Sequence, residues 1–151
     1  MMSSRIILVV LGGIKMTDRT IVALDAMGGD NAPKEMIKGA VQALEKTDAV
    51  QVLLVGKEDV IRAELAQYTY DKARIEVVNA TEVIETAEPP VNAIRRKKDS
   101  SIVVGMKLVK EGQADAFVSA GSSGAVYFLF AKRNRNQGVA FYHPLTKYES
   151  R

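Results

Sequence analysis

Two carboxylates, adjacent glycines and an asparagine crowd into DAMGGDNAP, residues 25–33, directly after the apolar run TIVAL at 20–24. Gly28 and Gly29 allow positive φ and close approach of a ligand, and Pro33 suits the first turn of a helix. The stretch therefore predicts a strand, a tight loop and a helix. In open α/β sheets the ligand crevice lies at the carboxyl ends of the strands, which puts Asp25 and Asp30 where chemistry is usually done. The same residues also suit an acidic turn in which Asp30 or Asn31 caps the helix.

A second glycine loop, AGSSGA at 120–125, follows the apolar run ADAFVS. Gly121 and Gly124 let backbone N–H groups converge, Ser122 and Ser123 add hydroxyls, and a following helix adds its positive end. That is an anion cradle in outline. The loop lacks the lysine of a P-loop and the spacing of G-x-G-x-x-G, and taken alone a plain strand-to-helix turn is the commoner explanation. Between the two loops stands the basic run Arg95-Arg96-Lys97-Lys98. It can neutralise phosphate, or form a solvated face with Arg95 paired to Asp99 at i, i+4. On a helix Arg95 and Lys98 share a face and Arg96 lies on another.

Other chemistries are excluded or unsupported. The chain has no cysteine, which removes disulfides, thiolate metal sites and a cysteine nucleophile. No metal constellation is present, because the acids lack ligand spacing and the single histidine, His143, falls in the tail, where it reads as a loop residue. No cofactor is implied. Without a Ser/His pairing in the body, a covalent acyl-enzyme is disfavoured.

These loops need elements to hold them. Residues 32–46 place Met36, Ile37, Ala40, Val41 and Leu44 at helical spacing; 50–55 read as a β-branched strand; 58–67 bring Val60, Ile61 and Leu65 onto one stripe; 74–78 form the next strand. After the acidic linker 79–88, Pro89-Pro90 predicts a short helix at 91–98. Asp99, Ser100 or Ser101 then caps a helix to Lys110, stopped by Gly112, before a strand at 114–119. Alternation of this kind argues for a mainly parallel sheet with helices on both faces.

Length and composition fit one globular domain. At 47% hydrophobic and 26% charged residues the chain is neither disordered nor a membrane protein by composition. Its charge of +3 is uneven: residues 1–16 carry +2, 17–125 carry −3, and 126–151 carry +4. A nucleic-acid footprint is a basic stripe on the folded body, and this body is slightly acidic, which argues against DNA or RNA as partner. Residues 1–16 read as an extension of uncertain structure, with Met16 an alternative start and an added strand another alternative. Residues 126–151 have no sustained period and read as a largely irregular tail, although 126–131 can begin a helix.

Taken together, DAMGGDNAP at 25–33, IETAEPPVNAIRRKKDSS at 84–101 and ADAFVSAG at 114–121 resemble the amino-terminal part of the PlsX family, over about residues 17–125. The resemblance implies a three-layer α/β/α sandwich akin to isopropylmalate dehydrogenase and phosphotransacetylase. It implies a phosphate acyltransferase of phospholipid synthesis, which makes acyl phosphate from acyl carrier protein thioester and inorganic phosphate. It further implies a cytoplasmic, peripherally membrane-associated homodimer that feeds a membrane glycerol-phosphate acyltransferase.

Residue by residue, the resemblance carries over Asp25, Asp30, Asn31, Lys97 and Lys98 as catalytic groups. Gly28, Gly29, Arg95, Ser100, Ser101, Gly121, Ser123 and Gly124 carry over as phosphate-binding groups. The family's second loop reads SAGNTGA, so Ser123 keeps a hydroxyl here while Ser122 loses an amide. Family members are much longer, and both the resemblance and the composition break after Ala125. This predicts a truncated or frameshifted chain, an incomplete sandwich, and an exposed sheet edge prone to association.

Overall fold

The computed structural model describes residues 7–11, 19–133 and 139–142. Its elements, in chain order, are β1 (Ile7–Leu11), β2 (Thr20–Asp25), α1 (Lys34–Lys46), β3 (Val50–Gly56), α2 (Glu58–Leu65), β4 (Ile75–Asn79), α3 (Pro90–Arg96), α4 (Ser101–Lys110), β5 (Ala116–Ser119), α5 (Ser123–Arg133) and β6 (Val139–Tyr142). The sheet order is β4-β3-β2-β5-β1-β6. The first four of these strands are mutually parallel. β1 and β6 extend the sheet antiparallel beyond β5.

The run VQVLLVG of β3 shows why two helical layers form. Alternate side chains of a strand face opposite ways. Val52 and Leu54 enter a core with Ile37, Val41 and Leu44 of α1 and Ile61 of α2. Leu53 and Val55 enter the other core with Ile94, Ile102, Met106, Phe117 and Val126, under α3, α4 and α5. A strand covered on both faces reads as a continuous apolar run, and the result is a three-layer α/β/α sandwich. On the second face α4 lies close to the sheet, because a Cβ on Gly105 would stand 2.3 Å from the Phe117 ring.

Strand β2 is the pivot. Its crossover through α1 leads to β3 on one side, while β5 pairs with it on the other. The carboxyl ends of β2 and β5 thus flank a topological switch point, where open α/β sheets place their ligands.

The structure differs from the sequence expectation at several ends. α1 begins at Lys34 behind Pro33, and no side chain caps it. Neither Asp30 nor Asn31 serves as that cap; the Asn31 main-chain carbonyl accepts the Glu35 N–H instead, at 3.1 Å. α3 stops at Arg96, before Asp99 can follow one turn after Arg95, so their expected pairing is not formed. Asp99 accepts from Thr81 instead, from its N–H at 2.9 Å and its hydroxyl at 2.5 Å. Part of segment 126–151 is regular, since α5 runs to Arg133 and β6 pairs with β1. The edge beside β5 is covered by β1. Met16 and His143 lie outside the described residues.

Candidate functional site

The last residue of β2 is Asp25, whose side chain is 1% exposed. The carboxyl is gripped from three directions. Oδ1 accepts the Met27 N–H at 3.1 Å, where the chain turns into the first loop. Oδ2 accepts the Ser119 hydroxyl at 2.8 Å, from the end of β5. The Ser101 side chain, in the first turn of α4, also bonds the carboxyl. Burial pushes the Asp25 carboxyl above the usual carboxylate range, and the Ser101, Ser119 and Met27 hydrogen bonds pull against that rise.

The two glycine loops touch directly over this carboxyl. A Cβ on Gly28 would lie 2.5 Å from Asp25 Oδ2 and 2.9 Å from the Gly121 nitrogen, so no side chain fits there. Gly29 has φ +98°, a left-handed conformation that glycine adopts without strain, and packs against Ala120. In the second loop the Gly121 N–H points inward, donating to Ser119 Oγ at 3.0 Å. Ser122 Oγ accepts the Ala125 N–H at 3.4 Å and so caps α5. Among the described residues, the N–H groups of Ser122, Ser123 and Gly124 have no protein partner. They stand at the positive end of an eleven-residue helix, an arrangement suited to an oxyanion. α3 closes the far side, since a Cβ on Gly124 would lie 2.6 Å from the Pro90 ring.

The structure therefore brings together Asp25, Gly28, Gly29, Ser101, Gly121, Ser123 and Gly124. Ser100 is buried beside them as the cap of α4, its hydroxyl accepting the Val103 N–H at 3.4 Å. The start of α4 is pinned in turn by Glu82, whose carbonyl accepts the Ser101 N–H at 3.2 Å. Asp30 and Asn31 sit exposed on the crest of the first loop, and Arg95 and Lys98 are exposed on the basic segment. Lys97 is held elsewhere. Its ammonium forms an ion pair with Glu88 and donates to the Val83 carbonyl at 2.6 Å, which ties it to the acidic linker. The Lys97 hydrogen bond holds the Glu88 carboxyl below its ordinary range.

Two of these residues carry no sequence signal strong enough to single them out for their part. Ser119 closes an otherwise apolar strand and meets a carboxylate 94 residues earlier, a pairing only the sheet order reveals. Glu88 stands nine residues before Lys97, at the other end of α3. Ser122 does have a signal, because a serine three residues ahead of a helical N–H is an ordinary cap.

The family model described as "Fatty acid synthesis protein" matches residues 20–139. Curated relatives named "Phosphate acyltransferase" include that of Clostridium acetobutylicum, 49% identical over 106 residues, which are 70% of this chain and 32% of the relative. The relative from Syntrophomonas wolfei is 53% identical over 104 residues, 69% of this chain and 32% of its own. That from Clostridium beijerinckii is 55% identical over 104 residues, 69% and 31%. The chain thus spans about a third of the length of the curated relatives it matches. A family match that covers most of the chain, from the first residue of β2 into β6, makes this protein a member of the fatty acid synthesis protein family, PlsX.

Proposed function

We propose that the crevice between the β2 and β5 loops binds inorganic phosphate for acyl transfer from an acyl carrier protein thioester, giving acyl phosphate. One observation carries the reading: three N–H groups at the start of α5, without a protein partner among the described residues, stand beside the switch point of a sheet, in a chain whose relatives are named phosphate acyltransferase.

Phosphate needs little activation. Its second ionisation, near pH 6 in phosphate esters, leaves much of it dianionic at neutral pH. An oxygen of the dianion attacks the thioester carbonyl, the new C–O bond forms, and the C–S bond breaks. The proton carried by the phosphate ends on the departing thiol. Placement and charge are what the protein supplies, and one well-aimed donor to a developing oxyanion is worth about 10² to 10³ in rate. In this reading the Ser122, Ser123 and Gly124 N–H groups and the Ser123 hydroxyl cradle the phosphate. Arg95 and Lys98 screen its charge. Asp25 holds the loops from beneath, and Asp30 and Asn31 are the first-loop groups open to the thioester substrate.

The same reading takes acyl carrier protein and a membrane glycerol-phosphate acyltransferase as partners, a homodimer as the working assembly, and peripheral contact with the membrane. Among the described residues no helix is long and apolar enough to cross a membrane.

Purified chain incubated with acyl carrier protein thioester and phosphate is expected to release acyl phosphate, trapped as a hydroxamate, in proportion to phosphate. Phosphate binding without that product would identify a second reading, a chain that holds the anion and transfers nothing. The absence of both binding and product would overturn the proposal.

A further inference from the structure

We infer that Ser119 is a positioning residue for the phosphate cradle: its hydroxyl, locked between Asp25 and Gly121, turns the Gly121 N–H inward and so aims the next three N–H groups at the crevice. The inference rests on the phosphate reading above and gives Ser119, which lies within the stretch ADAFVSAG, a role of its own.

The chain of hydrogen bonds has only one direction. An amide N–H can only donate, so Ser119 Oγ must accept from Gly121, at 3.0 Å. The single hydroxyl proton is then directed at Asp25 Oδ2, at 2.8 Å. Ser119 is fully buried, so no water competes for either bond. The surroundings leave the loop no second position. Gly121 has Gly28 Cα and Asp25 Oδ2 both 3.2 Å from where its Cβ would stand, with the first loop packed across it. Cutting the Ser119 bonds frees the Gly121 peptide to rotate, and its neighbours Ser122 and Ser123 rotate with it. Ser119 is therefore the joint between a carboxyl on β2 and the amide array on α5.

The test is a phosphate titration of the full chain followed by ¹H–¹⁵N NMR, in wild type, Ser119→Ala and Ser119→Cys. Cysteine is slightly larger than serine and alanine smaller, and neither makes a strong hydrogen bond, so the two variants bracket the volume of serine and separate the hydrogen bond from it. In wild type, slow exchange at the Gly121 amide and saturable shifts at Ser122, Ser123 and Gly124 are expected. Both variants should bind phosphate about tenfold more weakly and exchange Gly121 faster, the loss typical of a buried hydrogen bond to a charged group. Resonances of β3 and β4 should stay in place. Wild-type binding in Ser119→Cys overturns the inference, because volume alone is then sufficient. Fast exchange of the wild-type Gly121 amide also overturns it, even if both variants fail to fold. If wild-type Gly121 is protected and no N–H responds to phosphate, the phosphate reading is what fails, and the cradle role falls with it.

Discussion

Two charged side chains are buried at opposite ends of the sheet, and they are satisfied in different ways. Arg74, just before β4, is 4% exposed and spends its guanidinium on main-chain carbonyls. It donates to Leu44 at 2.9 Å, to Val50 at 2.9 and 3.2 Å, and to Thr47, with the exposed Asp48 carboxylate accepting at 3.4 Å from the same group. These carbonyls include the end of α1, which has no further helical turn to bond it. Asp25 is held instead by the rotatable hydroxyls of Ser101 and Ser119 and by an N–H in the first loop. Fixed carbonyls around a permanent cation make a fastening. Hydroxyls around a titratable carboxyl, beside partnerless amides, make a site.

The sharpest way to break this comparison is at Arg74. Arg74→Ala takes the donor from the buried Leu44 carbonyl and from the part-buried Thr47 and Val50 carbonyls, and at about 1–3 kcal/mol for a buried unsatisfied group the chain should lose about 2 kcal/mol or more. Urea denaturation measures it, and an unchanged midpoint would show that the carbonyls find other partners. Arg74→Lys should recover only part of the loss, because an ammonium cannot reproduce the planar fork. Next is Gly28→Ala, whose Cβ falls 2.5 Å from Asp25 Oδ2. Overpacking of this kind costs about 1–3 kcal/mol. It should also abolish phosphate-induced shifts in the second loop, which Arg74→Lys should leave intact wherever the chain stays folded.

Asp25→Asn is expected to have a smaller effect that depends on pH. The folded carboxyl titrates above the unfolded one, so its stabilisation is fully present below the unfolded pKa and is lost as pH rises through the folded pKa. Wild type should therefore gain on the variant in acid and lose ground toward neutrality, with each tenfold difference in proton affinity between the folded and unfolded carboxyl worth about 1.4 kcal/mol. Urea midpoints from about pH 4 to about pH 8 test this, and a flat difference would place Asp25 in the same class as Arg74. The smallest effect belongs to Glu88→Gln, which releases Lys97 from its ion pair. If the ammonium then reaches the crevice, phosphate affinity rises about twofold, the scale of a partly exposed charge contact. No change would leave Lys97 as a tie for the linker.

The alternation of elements was legible in the chain because each buried face repeats at its own period. Ile37, Ala40, Val41 and Leu44 mark α1, and the unbroken apolar run of β3 marks a strand covered on both sides. Both glycine loops could be placed at strand ends by the same means. What could not be read was which strand ends meet. The order β3-β2-β5 is set by pairings far apart in sequence, and Ser119 has meaning only once Asp25 is beside it. The basic segment was legible only in part. That its four cations divide between faces could be read, but that α3 ends within the run and Lys97 turns back to Glu88 could not. The sequence offers β1 only as one alternative for residues 1–16, and β6 was hidden because 126–151 lack a sustained period; β1 pairs along the open side of β5 and β6 along β1.

The separation of Asp25 from Ser119 by 94 residues bears on how the protein is made. Strands β2, β3 and β4 pair with near neighbours and can assemble as soon as they leave the ribosome. The carboxyl end of β2 must then wait, with its aspartate unpartnered, until β5 and the first turn of α5 have been synthesised. Closing so long a loop is slow relative to the local pairings. The site is thus the last part of the parallel sheet to be completed during translation, and a nascent chain stalled before Ser119 would carry a formed β2-β3-β4 ladder with no anion cradle.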